Sequence, residues 1–150
     1  MARRNKALSV PAIKQESDIK RKYYGLVDSS STKFGELCCE IRLQPSCESR
    51  TYKIKIRYNQ NRGFPKAWII DPPELAQVEG KKPHHIYSEQ GDSLCVFYPS
   101  DGEWNRSMYL SESFIPWIIT WLSAYEFWQI TGEWFYPEKK IEIGSKKNIK

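Results

Sequence analysis

Tyr52-Lys53-Ile54-Lys55-Ile56-Arg57-Tyr58 alternates without a break. Tyr52, Ile54, Ile56 and Tyr58 fall on one side, and Lys53, Lys55 and Arg57 on the other. A period of two belongs to a strand, and an apolar side opposed to a cationic one belongs to an antiparallel strand with one wall on a core and the other in water. The neighbouring segments extend the pattern. Glu36 to Leu43 is short, apolar-rich and closed by Gln44-Pro45-Ser46. Asn59-Gln60-Asn61-Arg62-Gly63 is a turn, and Ala67-Trp68-Ile69-Ile70 is a further strand stopped by Asp71-Pro72-Pro73. Links this short leave no room for crossover helices, so the sheet is predicted to be an antiparallel meander.

Helices are expected on both sides of it. Ala7 to Tyr24 reads as an amphipathic helix with Pro11 in its first turn and a narrow apolar stripe of Ile13, Ile19 and Tyr23. Asp28-Ser29-Ser30-Ser31-Thr32 then reads as a loop. A second helix is predicted to start near Ser111 or Ser113, with Pro116 in its first turn. Trp117, Trp121, Tyr125 and Trp128 recur at spacings of four, four and three and so share a face, which Phe114, Ile118 and Leu122 widen. Gly132 fits a left-handed cap. So wide an aromatic face is mostly core and needs a sheet to lie on. The chain therefore divides into 1–33, a basic helix and loop that form part of the domain; 34–136, the core; and 137–150, a flexible basic tail.

The length of 150 residues suits one domain, and the fold class is α+β. The net charge of +5 is unevenly spread. Residues 1–33 hold eight Lys/Arg against three acids, and 137–150 hold five against two, whereas 34–136 hold ten against thirteen. Basic charge at the ends rather than in a central stripe weighs against nucleic acid as the partner. The most apolar stretch, Ser113 to Tyr125, is broken by Ser, Thr and Pro and falls short of the roughly 20 residues of a membrane span. No apolar segment follows the basic start, so the expectation is a soluble cytoplasmic protein with reduced thiols and no membrane partner.

Four cysteines are present: Cys38, Cys39, Cys47 and Cys95. There is no CxxC pair, adjacent Cys38 and Cys39 point to opposite faces of a strand, and a zinc site shared with His84 or His85 is poorly supported by spacing. No metal or cofactor is expected. Cys95 differs from the others in context. It lies in Pro83-His84-His85-Ile86-Tyr87-Ser88-Glu89-Gln90-Gly91-Asp92-Ser93-Leu94-Cys95-Val96-Phe97-Tyr98-Pro99, on the rim of an apolar run, ten residues after His85. A thiol on a fixed edge with polar groups nearby suits nucleophilic chemistry. The same residue beside Leu94, Val96 and Phe97 also suits plain packing. His84, His85, Tyr87 and Asp92 are the polar neighbours. A histidine here suits pinning the loop through a backbone hydrogen bond as well as facing the thiol, Tyr87 has a hydroxyl to offer an oxyanion or a ring simply to pack, and Asp92 reads better as a turn residue.

Helix, antiparallel meander, His- and Cys-bearing segment, then helix is an order that resembles the ubiquitin-conjugating enzyme (UBC) fold. That family has a His-Pro-Asn tripeptide about ten residues before its cysteine; His85 and Cys95 match the spacing, and Ile86-Tyr87 stand in place of Pro-Asn. Trp104 matches a tryptophan that follows the cysteine. The segments Pro83–Tyr87, Leu94–Pro99, Glu103-Trp104, Ile115–Trp117, Trp121–Trp128 and Thr131–Trp134 together are similar to the stand-alone conjugating-enzyme-like proteins of short type II CBASS anti-phage operons. The strand and turn from Phe64-Pro65 to Pro73-Glu74-Leu75 fit as well, so that the likeness spans roughly 50–136. It implies a catalytic Cys95, helped by His85 and Tyr87, that takes up as a thioester the C-terminal glycine of a cGAS/DncV-like nucleotidyltransferase and so primes or regulates it. Two departures matter: the asparagine is missing, and Phe135-Tyr136-Pro137-Glu138 replaces a glycine-rich stretch. A non-catalytic scaffold that binds the nucleotidyltransferase is the alternative, and a nucleic-acid binder a third.

Overall fold

The computed structural model describes residues 8–135. Along the chain run α1 (Ala12–Lys22), β1 (Val27–Lys33), β2 (Glu36–Leu43), β3 (Tyr52–Asn59), β4 (Lys66–Asp71), the two-residue strands β5 (Ile86–Tyr87) and β6 (Ser93–Leu94), and α2 (Phe114–Thr131). The first four strands form one antiparallel sheet in sequential order, and β5 and β6 form a separate small hairpin. The expected meander between two helices is therefore present.

In β3 the alternation becomes burial: Tyr52, Ile54, Ile56 and Tyr58 are buried. They meet Leu37, Cys39, Ile41 and Leu43 of β2 in one apolar cluster with Trp121, Leu122, Tyr125 and Trp128 of α2. The edge contact of Tyr52 with Tyr125 and the hydrogen bond from the Tyr52 hydroxyl to Glu126 fasten α2 across the sheet. Pro116 sits in the first turn of α2, where its missing N–H costs nothing. Gly132 caps the other end at φ 81, donating its N–H to the Trp128 carbonyl.

The N-terminal third departs from the sequence reading in three ways. Residues 28–32 are not a loop but most of β1. Ser30 and Thr32 turn inward and donate their hydroxyls to Glu16 of α1, while Ser29 and Ser31 face water. Hydroxyls on both faces give no hydropathy contrast, so the alternation is invisible to an apolar count. The helix is also shorter than 7–24, and residue 7 lies outside the described residues. Pro11 precedes α1 in an extended conformation instead of sitting in its first turn, and the Ala12 N–H is taken by the Gln60 side chain. Finally, Ile13 is 62% exposed; the buried face of α1 is Ala12, Gln15, Asp18 and Ile19. Gln15 is buried because both ends of its amide are used: it donates to the Met108 carbonyl and accepts from the Leu110 N–H. The Asp18 carboxylate accepts from the Ser111 hydroxyl. The tail expected at 137–150 lies outside the described residues.

Candidate functional site

The segment carrying the expected site is the β5–β6 hairpin and its flanks. Ile86 pairs with Leu94 and Tyr87 with Ser93, and a single 3₁₀ turn, Ser88–Gln90, joins the strands. Gly91 and Asp92 complete the reversal at φ 70 and 67. Asp92 pairs with Lys82 at 2.9 Å, so its carboxylate ties the turn to the segment before β5. The turn is anchored to the sheet by the Trp68 indole N–H, which donates to the Gln90 carbonyl at 2.8 Å.

His85 is the joint at the hairpin base. It adopts φ 59, a left-handed conformation uncommon outside glycine but one that histidine, with asparagine and aspartate, takes more readily than most side chains. Its carbonyl accepts two hydrogen bonds, from the Cys95 N–H at 2.8 Å and from the Trp121 indole at 3.0 Å. The backbone of His85 thus ties the cysteine to α2. The imidazole lies tilted against Trp134, with ring centres 5.5 Å apart, and meets Tyr98 edge-on at 6.4 Å. His84 is exposed and lies between Trp128 and Trp134.

Cys95 is 7% exposed. Its thiol reaches the Phe97 carbonyl at 3.7 Å, and the Tyr87 hydroxyl hydrogen-bonds to its sulfur. Burial pushes the thiol above its ordinary value of 9.0; the bond from Tyr87 pulls it down, and the negative charge of Glu103 pushes it up. Tyr87 is itself raised, by burial and by the sulfur beside it. The other cysteines have different surroundings. Cys39 is in the core, and burial drives it up to about 12. Cys38 is half-buried on the opposite face of β2, and Cys47 is exposed after β2.

Of the residues expected from sequence, the structure brings Tyr87 to the Cys95 sulfur and His85 to the Cys95 backbone. Three further residues take part, and two of them, Glu103 and Trp134, had no role in the sequence reading. Glu103 acts on the thiol through its charge and accepts the Tyr98 N–H at 3.3 Å. Trp121 supplies the indole that holds the His85 carbonyl. Trp134 returns past the end of α2 to cover Trp121 and both histidines. The turn that returns it is built by Gly132 and by Thr131, whose hydroxyl accepts the Glu133 N–H. Thr131-Gly132 with Trp134 two residues beyond the glycine was a legible signal for such a return; the Glu103 role had none. Among the described residues no group of three or more His, Cys, Asp or Glu is placed to hold a metal ion, and no helix is long and apolar enough to cross a membrane.

Comparison with known families matches residues 15–141 to the family described as type II CBASS E2 protein. No curated protein matches the chain.

Proposed function

The chain belongs to the type II CBASS E2 family, and from that membership we propose that Cys95 forms a thioester with the C-terminal glycine of a cGAS/DncV-like nucleotidyltransferase, priming or regulating it in anti-phage defence. A free carboxylate is not electrophilic, so the acyl group must arrive activated, as a thioester or an acyl adenylate. The Cys95 thiol gives up its proton, the new S–C bond forms, and the donor's thiol or AMP leaves. The observation that carries this reading is the place of Cys95 at the hairpin base, its N–H held by the His85 carbonyl at 2.8 Å and the Tyr87 hydroxyl of the facing strand beside its sulfur. A donor already on the sulfur lies next to the position of the tetrahedral oxyanion and offers there what the asparagine of other conjugating enzymes would offer. His85 acts through position, its carbonyl holding the Cys95 N–H.

Co-expression with the nucleotidyltransferase, and mixing with that protein prepared as a C-terminal thioester so that the acyl group arrives activated, each followed by non-reducing gel and intact mass, test the proposal. The wild type should give a thiol-sensitive adduct that Cys95→Ala abolishes, while loss of Cys38, Cys39 or Cys47 leaves it intact. Cys95→Ser should hold a longer-lived oxyester, because an alkoxide is the poorer leaving group. Two proteins that bind tightly without any such adduct would favour the scaffold reading. An adduct that survives Cys95→Ala would mean another nucleophile.

A further inference from the structure

The face of the sheet turned away from both helices carries a groove of about 520 Å³ beneath the β3–β4 turn. Arg57, Arg62, Lys66, Trp68 and Gln90 line it, with Glu36 as the one acid. Residues 34–136 are acidic as a whole, so three cations around one groove run against the local trend. Glu36 is taken by Arg57. Among the described residues neither Arg62 nor Lys66 pairs with a carboxylate. The register sets Lys66 directly opposite Arg57, and Glu36 answers only the Arg57 side of that like-charge cross-strand pair. The groove also touches the cysteine hairpin: Gln90 lies in the turn between β5 and β6 and takes the Trp68 indole N–H.

We propose that this groove docks an acidic peptide segment of the protein whose carboxyl end Cys95 takes up. The proposal rests on the thioester reading for the identity of that protein, not for the binding itself. Carboxylates spaced along a chain answer cations contributed separately by the β3–β4 turn and by β4, Arg62 and Lys66. A nucleotide fits less well, because Lys55 already lies over the Trp68 ring at 5.8 Å, where a base would stack. A segment held here lies against the turn, at Gln90, of the hairpin whose base carries the thiol. That position raises the local concentration of the partner's end near Cys95.

Fluorescence anisotropy of a fluorescein-labelled hexaglutamate peptide, titrated with the full chain, tests it. Saturable binding that weakens with salt is expected. Arg62→Glu with Lys66→Glu should weaken it by about tenfold or more, and the Gln pair at the same positions by less. Lys14→Glu with Lys20→Glu changes the net charge equally on α1 and should stay within about twofold of wild type. Equal losses from both charge reversals would overturn the proposal, as would absence of binding or displacement by inorganic pyrophosphate at far lower concentration than by glutamate peptide. Cys95→Ala should bind as wild type does. Peptide binding in the groove with no adduct at Cys95 would sink the thioester reading and leave the groove standing. An adduct that forms while the groove reversal changes neither binding nor adduct rate would sink the groove alone.

Discussion

Cys95 faces opposed demands: its chemistry needs a thiolate, and its burial resists one. Burial wins in the resting protein, because the net direction is upward from 9.0 despite the Tyr87 hydrogen bond. The thiol is therefore mostly protonated at neutral pH, and Tyr87 keeps it from rising further. Tyr87→Phe removes that brake, so its Cys95 should titrate at still higher pH than in the wild type. In a Cys38→Ser, Cys47→Ser background, iodoacetamide labelling read by mass should follow a curve displaced to higher pH, with the slowing greatest below the thiol range. If Tyr87→Phe labels on the wild-type curve, the hydroxyl does not tune the sulfur. Adduct formation should fall as well, by roughly the 10²–10³ that loss of one oxyanion donor costs. A variant that lost labelling reactivity but kept adduct formation would assign Tyr87 to the resting thiol alone. The spacing from His85 to Cys95 was legible in sequence because it is a local count. The effect of Glu103 was not, since its charge reaches the sulfur only through the path of the Pro99–Gly102 turn.

Among the elements, α2 does two tasks with one face. Trp121 is fully buried, stacks on Tyr125 at 5.0 Å and meets Trp134 edge-on at 5.2 Å, while its indole N–H holds the His85 carbonyl. Trp121→Ala should cost about 3–5 kcal/mol in chemical denaturation, the usual scale for truncating a core tryptophan. Trp121→Phe separates the tasks: most of the packing stays, and a buried carbonyl loses one donor, worth about 1 kcal/mol. That variant should lose adduct formation out of proportion to its stability; a loss in step with stability would make Trp121 core and nothing more. The helix was readable because its aromatic residues keep the 3.6 period and end at Gly132, and β3 was readable because its apolar residues keep period two. What hid β1 and the inner face of α1 is shared between them. Both turn polar side chains inward, and Ser30, Thr32, Gln15 and Asp18 are buried or half-buried by hydrogen bonds to partners distant in sequence. A hydropathy period registers oil against water and is silent about polar groups satisfied across the fold.

At the scale of the molecule, α1 is a clasp between two regions that the sheet does not join directly. One side reaches the 108–111 segment through Gln15 and Asp18, and the other reaches β1 through Glu16. The Ser30 and Thr32 hydroxyls hold the Glu16 carboxyl below its ordinary value of 4.5, with a smaller contribution from Lys20. A depressed acid stabilises the folded state while it is ionised in both states, so the contribution is complete above 4.5 and fades as pH falls through the lower folded value. Glu16→Gln should therefore unfold more easily than wild type at neutral pH, by on the order of 1 kcal/mol once solvent screening of a partly exposed group is allowed for. The gap should close in acid, where the wild-type carboxyl becomes as neutral as the amide. Urea unfolding of both proteins at a series of pH values reads this directly. A gap of constant size down through the carboxylate range would mean that shape, not charge, holds β1 to α1. A gap that widened in acid would reverse the sign and exclude a depressed Glu16.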